Sequence, residues 1–202
     1  MNRLIITFFA IFFSAMNISV AENYSMMSLG YTKHIAEDPH DSSGSTYFKD
    51  PEENGFVLGI AFGQRSNGIS TEIETNYYSE VSQKLTSDVT VDVSTLASMF
   101  NAMATPGESE FYGIIGGGAG FGYSMVDTSY RSGSNTFNGD QNTFNFAYQL
   151  ILGLGSDNYE LVFKHSNFGE VEGGSGTTSD GDAYNADEFD SKYNSIAFRI
   201  KF

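Results

Sequence analysis

The feature that most constrains this chain is a rhythm of segments and connections. Segments with strand-like alternation fall at 24–33, 55–64, 69–78, 89–101, 110–124, 141–153, 159–166 and 193–202. A period of two means a strand with one apolar and one polar face. The connections alternate long and short: 34–54, "RSNG", 79–88, "AMATPGES", 125–140, "LGSDN" and the polar stretch from 167 to 190. An even number of strands, with every long connection at one end and both termini at the other, is the layout of an outer-membrane barrel. Strands of about ten tilted residues are long enough to cross a bilayer. A soluble up-and-down barrel has no reason to keep its long loops at one end. No helical 3.6-residue stripe and no second domain is visible, so the fold class is an all-β, eight-stranded antiparallel up-and-down transmembrane barrel.

The faces say which side meets lipid. Phe56, Leu58, Ile60 and Phe62 oppose Gly59, Ala61 and Gly63; Phe144, Phe146, Tyr148, Leu150 and Leu152 oppose Asn145, Ala147 and Gln149. The first set is long, aromatic and continuous, whereas the second, of small, polar and charged residues, would make a poor oily core. Eight strands enclose a space that side chains fill. The apolar face is therefore predicted to point outward. Aromatic girdles are predicted from Tyr31, Phe56, Tyr77, Tyr123 and Phe144 on the outer side, and from Phe62, Phe111, Tyr159 and Phe202 on the periplasmic side.

The first residues, "MNRLIITFFAIFFSAMNISVA", pair a positive start at Arg3 with a short apolar run and small residues near Ala21. This predicts a signal peptide over 1–21 and a barrel domain over 22–202, exported to the outer membrane of a Gram-negative bacterium. Its removal takes Arg3 and no acid, moving the net charge from −15 to −16. Such a chain does not bind nucleic acid by phosphate neutralisation. With no cysteine, disulfides and thiolate chemistry are excluded.

Six charges share the predicted inward parity: Glu72, Glu74, Glu160, Lys164, Arg199 and Lys201. Charges enclosed in a narrow lumen must pair. They predict an ion network that plugs the barrel, with Glu160 and Arg199 on adjacent strands; its role is structural or, less simply, that of an ion-responsive gate. In "GIIGGGAGFG" the glycines lack the spacing of a nucleotide loop. Gly116, Gly118, Gly120 and Gly122 instead share one face and leave room for large side chains opposite. "KHSNFG" has a faint likeness to the His-x-Ser-Asn segment of lipid A deacylases. His165 and Ser166 are neighbours, however, and point to opposite faces, so catalysis is not predicted; an esterase is a distant third reading. No cofactor or metal centre is predicted.

The outer connections concentrate acid: Glu37, Asp38, Asp41, Asp50, Glu52 and Glu53 in the first, and Glu170, Glu172, Asp180, Asp182, Asp187, Glu188 and Asp190 in the last. Oxygen ligands in 180–190 could meet a hard cation that bridges to lipopolysaccharide phosphates, but a solvated, repulsive loop is the simpler reading. The chain ends "SIAFRIKF", with Ile196, Phe198, Ile200 and Phe202 on one face. This resembles the C-terminal signature read by the barrel assembly machinery.

Together, "FYGIIGGGAGFGYS", "FAYQLILGL", "YELVFKHSNFGEVE" and "SIAFRIKF" resemble the opacity/porin-like family of small outer-membrane barrels, closely over the C-terminal half and only in pattern before it. "STLASMFNAMATPG" departs from the family. The resemblance implies a surface-exposed antigen or adhesin, set among outer-membrane lipid and lipopolysaccharide, meeting a host or cell-surface ligand through its loops. A narrow porin-like pore for small hydrophilic solutes is the alternative, although wide channels go with 16 to 18 strands.

Overall fold

The computed structural model describes residues 22–40, 52–84, 89–106, 110–132, 135–173, 176–177, 183–184 and 188–202. Segment 1–21 and the loop acids Asp41, Asp50, Asp180, Asp182 and Asp187 lie outside these residues. Eight long strands form the barrel: β1 (Glu22–His40), β2 (Glu52–Ser66), β3 (Ile69–Lys84), β4 (Val89–Ala104), β5 (Phe111–Ser132), β6 (Asn135–Ser156), β7 (Tyr159–Glu172) and β10 (Glu188–Lys201). Each pairs antiparallel with its barrel neighbours, and β10 against β1 closes the ring. Two short strands, β8 (Gly176–Thr177) and β9 (Ala183–Tyr184), form a separate ladder in the connection after β7.

The short turns gather at one end. Asn67 and Gly68 join β2 to β3 with φ of 51° and 75°; two positive φ values match the twist of the flanking strands. Thr105 N–H donates to Gly68 O at 2.7 Å, and Lys201 N–H to Asn158 O at 2.8 Å. Phe202 N–H donates to Ser25 O at 2.9 Å, tying the last residue to the start of β1 at this same end.

Much of what reads as long loop is strand. β5 and β6 continue through most of 125–140, and β3 extends through 79–84. Beyond the lipid both faces of a strand can be polar, so the period-two contrast fades while cross-strand pairing continues.

Outside, 29 large apolar side chains are exposed among the described residues, including every predicted girdle aromatic. Soluble monomers rarely show contiguous apolar patches beyond about a few hundred Å². This belt is a surface for lipid.

Inside, the lumen is filled in three levels. Nearest the short turns lies an ion network; next come the rings of Tyr78, Phe168 and Tyr193, with centroids 4.4–5.5 Å apart. At the outer end Ala36, Val81, Val89, Val91, Val93, Val126, Val171 and Phe189 form one buried cluster. Sequence parity leads to the expectation of only small, polar and charged residues on the inward face. Buried Met99, Met103, Ile114, Ile151 and Val162 around the ion network, and the aliphatic level farther out, correct that; two β-bulges bring Val81 and Val171 into the outer level. On β3 the register passes from Tyr78↔Thr95 to Val81↔Val93, so β3 holds one extra residue. On β7 it passes from Asn167↔Lys192 to Glu170↔Asp190, with Gly169 at φ 72° and its N–H on Asn167 Oδ1 at 2.7 Å. A bulge flips every side chain beyond it. Glu80 and Glu170 consequently point outward, and Val81 and Val171 inward.

Candidate functional site: the lumen ion network

Of the ion pairs inside the lumen near the short turns, one joins adjacent strands and the others cross the lumen. Arg199 on β10 lies directly opposite Glu160 on β7 and donates through Nη1 to Glu160 Oε2 at 2.9 Å. Its Nη2 reaches across the lumen to Glu72 Oε2 at 2.6 Å. Lys164 Nζ pairs with Glu74 Oε1. Arg65 Nη2 bonds Glu160 Oε1 at 3.2 Å, and its guanidinium lies 4.0 Å over the Tyr112 ring. Three carboxylates thus meet three cations. Neutrality matters here, because an uncompensated charge in such a site costs several kcal/mol.

Neutral side chains occupy the remaining carboxylate oxygens. Asn101 Nδ2 donates to Glu72 Oε1 and to Glu74 Oε2, each at 3.0 Å. Gln149 Nε2 donates to Glu74 Oε2 at 3.2 Å and to Asn101 Oδ1 at 2.7 Å. Tyr24 donates to Glu72 Oε2 at 3.2 Å, and Tyr112 to Glu160 Oε1 at 2.9 Å. From Gln149 the chain continues through Ser166 (3.3 Å) to Tyr78 (3.3 Å), which joins the network to the aromatic level.

Glycine makes the room. A Cβ on Gly118 would stand 1.9 Å from Asn101 Oδ1, and one on Gly122 would stand 2.4 Å from Phe168 Cδ1. The small residues of β5 leave space that Asn101 of β4 and Phe168 of β7 fill.

The structure thus brings together Glu72, Glu74, Glu160, Lys164 and Arg199. Lys201 shares their parity but sits at the barrel mouth, 2.9 Å from Glu22, whose side chain is 64% exposed. Arg65, Asn101, Tyr24 and Tyr112 were not singled out in the sequence. Arg65 shares the parity of Ala61 and Gly63, but its place beside the "NG" turn makes it read as turn. Ile196, Phe198, Ile200 and Phe202 line the lipid face of β10. His165 is half-buried, with Nδ1 2.8 Å from Asn194 Oδ1, while Ser166 points into the lumen. The two do not form a nucleophile–base pair.

No family model and no curated protein matches this chain. Solved structures do. It is similar to Ail, the attachment invasion locus protein of Yersinia pestis, with 11% identity, a TM-score of 0.54, and coverage of 90% of this chain and 99% of that one. Ail in complex with the heparin analogue sucrose octasulfate aligns at 14% identity with the same TM-score and coverage. The outer membrane protein AlkL in lipid bilayers aligns at 14% identity and a TM-score of 0.54, covering 92% of this chain and 93% of that one. The fold is that of the small outer-membrane barrels. In this barrel the five central charges are buried and paired, so the network's geometry suits holding the wall together.

Proposed function

We propose that this chain is an outer-membrane surface protein whose work is interaction rather than catalysis, done by an acidic outer rim that meets a cationic partner. The observation that supports this is the register of the rim. Asp92, Asp127 and Asp140 stand directly opposite one another on β4, β5 and β6. Asp190, which lies 4.0 Å from Lys192, faces Glu170, and Glu188 faces Glu172, across β10 and β7. Like charges directly opposite destabilise a sheet. A rim built this way is relieved when a positively charged surface docks on it. It is ill suited to a polysulfated sugar such as the one bound by Ail, because anion would face anion. The barrel itself is the anchor in lipid and lipopolysaccharide, and its terminal Phe202 strand is the proposed signal to the assembly machinery. A narrow pore is the second reading; the polar side chains of the inner lumen favour it, and the packed aliphatic level opposes it.

The test is binding of the barrel, reconstituted in neutral vesicles, to a poly-lysine-coated sensor. Neutralising Asp92, Asp127 and Asp140 to asparagine is expected to weaken it at least tenfold at low salt, with loss steepest where screening is least. Equal binding by the folded triple variant overturns the reading.

A further inference from the structure

We propose that what closes this lumen to ions is the aliphatic level at its outer end, acting as a dewetted constriction, and not the ion network beneath it. This goes beyond the surface role and does not depend on it.

Three observations converge. The cluster draws on six strands, and Val91, Val93, Val126, Val171 and Phe189 in it are at most 1% exposed. The buried imidazole at this end is held from both sides: His34 bonds Ser191 Oγ at 2.9 Å and Gln83 Nε2 at 2.8 Å, and its ring packs against Tyr193 and Phe189. A narrow passage lined this way expels water, and ions do not enter without it.

The second observation is how the level is made. β3 and β7 lie diametrically opposite in the strand order, with three strands between them on either side. Each carries one bulge, and each bulge exchanges an inward glutamate for an inward valine. A straight β3 would aim Glu80 into this level, and a straight β7 would aim Glu170 there. Two independent irregularities with the same outcome mark dryness here as a requirement of the fold.

The third lies below. Ser28 faces Arg199 on one side and Gly59 on the other, and Gly59 faces Asn76, so the four share one cross-strand row. Asn76 Nδ2 and Oδ1 and Arg199 Nε are buried without a hydrogen-bond partner. Asn76 Oδ1 and Ser28 Oγ crowd the same Cβ position of Gly59, at 2.1 and 2.5 Å. Buried donors and acceptors side by side are satisfied by water, which does both, and not by a single ion. The inner lumen is therefore a level that water enters from the periplasmic mouth, and the seal must stand farther out.

The experiment is planar-bilayer conductance of the refolded chain 22–202, with folding checked first by heat-modifiable gel mobility. Val93 and Val126 face each other across β4 and β5. The wild type is expected to stay near baseline. Val93→Asn with Val126→Asn is expected to raise ion current at least tenfold, and Val93→Thr with Val126→Thr less. Glu160→Gln, which loosens the ion network while sparing the valines, is expected to stay at baseline. The threonine pair is nearly isosteric, so it keeps the test alive if the asparagine pair does not fold. Folded valine variants as silent as the wild type overturn the proposal. So does steady current from the wild type, or current opened by Glu160→Gln alone.

Discussion

Arg199 and Val93 are both fully buried in the lumen of one barrel, yet they hold it by different means. Arg199 belongs to a set in which each member is tolerable only because the others are present: two carboxylates hold its guanidinium, and those carboxylates need it in turn. Val93 belongs to a set whose members are nearly independent, each contributing its own area removed from water. The inner lumen is cooperative and specific; the outer lumen is graded and tolerant of exchange among aliphatics.

The sharpest way to break this comparison is Arg199→Met. It keeps much of the bulk but takes the cation from Glu72, while Glu160 keeps Arg65, and removing one partner of a buried pair costs about 3–5 kcal/mol. The urea midpoint of the refolded barrel in vesicles should fall accordingly. Adding Glu72→Gln to Arg199→Met restores the balance of charge and should recover part of the loss, because residues in one network couple. If the two changes simply add, the inner lumen is not cooperative.

Next in size is Gly169→Ala. An alanine at φ 72° adopts the left-handed region at a cost of about 1–2 kcal/mol. The change tests whether the β7 bulge is a stable device or an accident of the strand. Hydrogen exchange at Val171 and Phe189 should quicken, while exchange at Val162 and Ala197, below the bulge, stays as it was. Uniform quickening along β7 would show that the bulge does not serve the outer level in particular.

These two variants also mark what the sequence disclosed. Glu72, Glu74, Glu160, Lys164 and Arg199 sit on strands whose alternation runs unbroken from the short turns, so parity alone placed them inside. Val81 and Val171 lie beyond bulges. Counting by twos from Tyr78 or Ser166 puts Glu80 and Glu170 inward and hides the parts that Val81 and Val171 play in the aliphatic level. One signal was present: "NFGE" puts a glycine, a residue that often marks a bulge, directly before a carboxylate. The acids of the rim were visible as composition, but their direct cross-strand register was not, because register depends on where each pairing begins and on bulges, which alternation alone does not place.

The smallest expected effect belongs to Lys201→Ala, and it sharpens the comparison from the other side. Lys201 lies two residues from Arg199, on the same face of β10, with a carboxylate 2.9 Å away and the Tyr24 ring 5.5 Å from its Nζ. By parity and chemistry the two cations are alike; they differ in depth. Glu22, the partner of Lys201, stands mostly in solvent, so water and salt replace the lysine when it is lost. Pairs of this exposed kind are worth about 0–1 kcal/mol. The urea midpoint of Lys201→Ala should therefore lie close to the wild type, and the small difference should vanish in high salt, whereas the loss in Arg199→Met should persist there because buried pairs are screened much less. A Lys201 loss as large as that of Arg199 would mean the ion network extends to the mouth of the barrel, and that depth is not what separates the two residues.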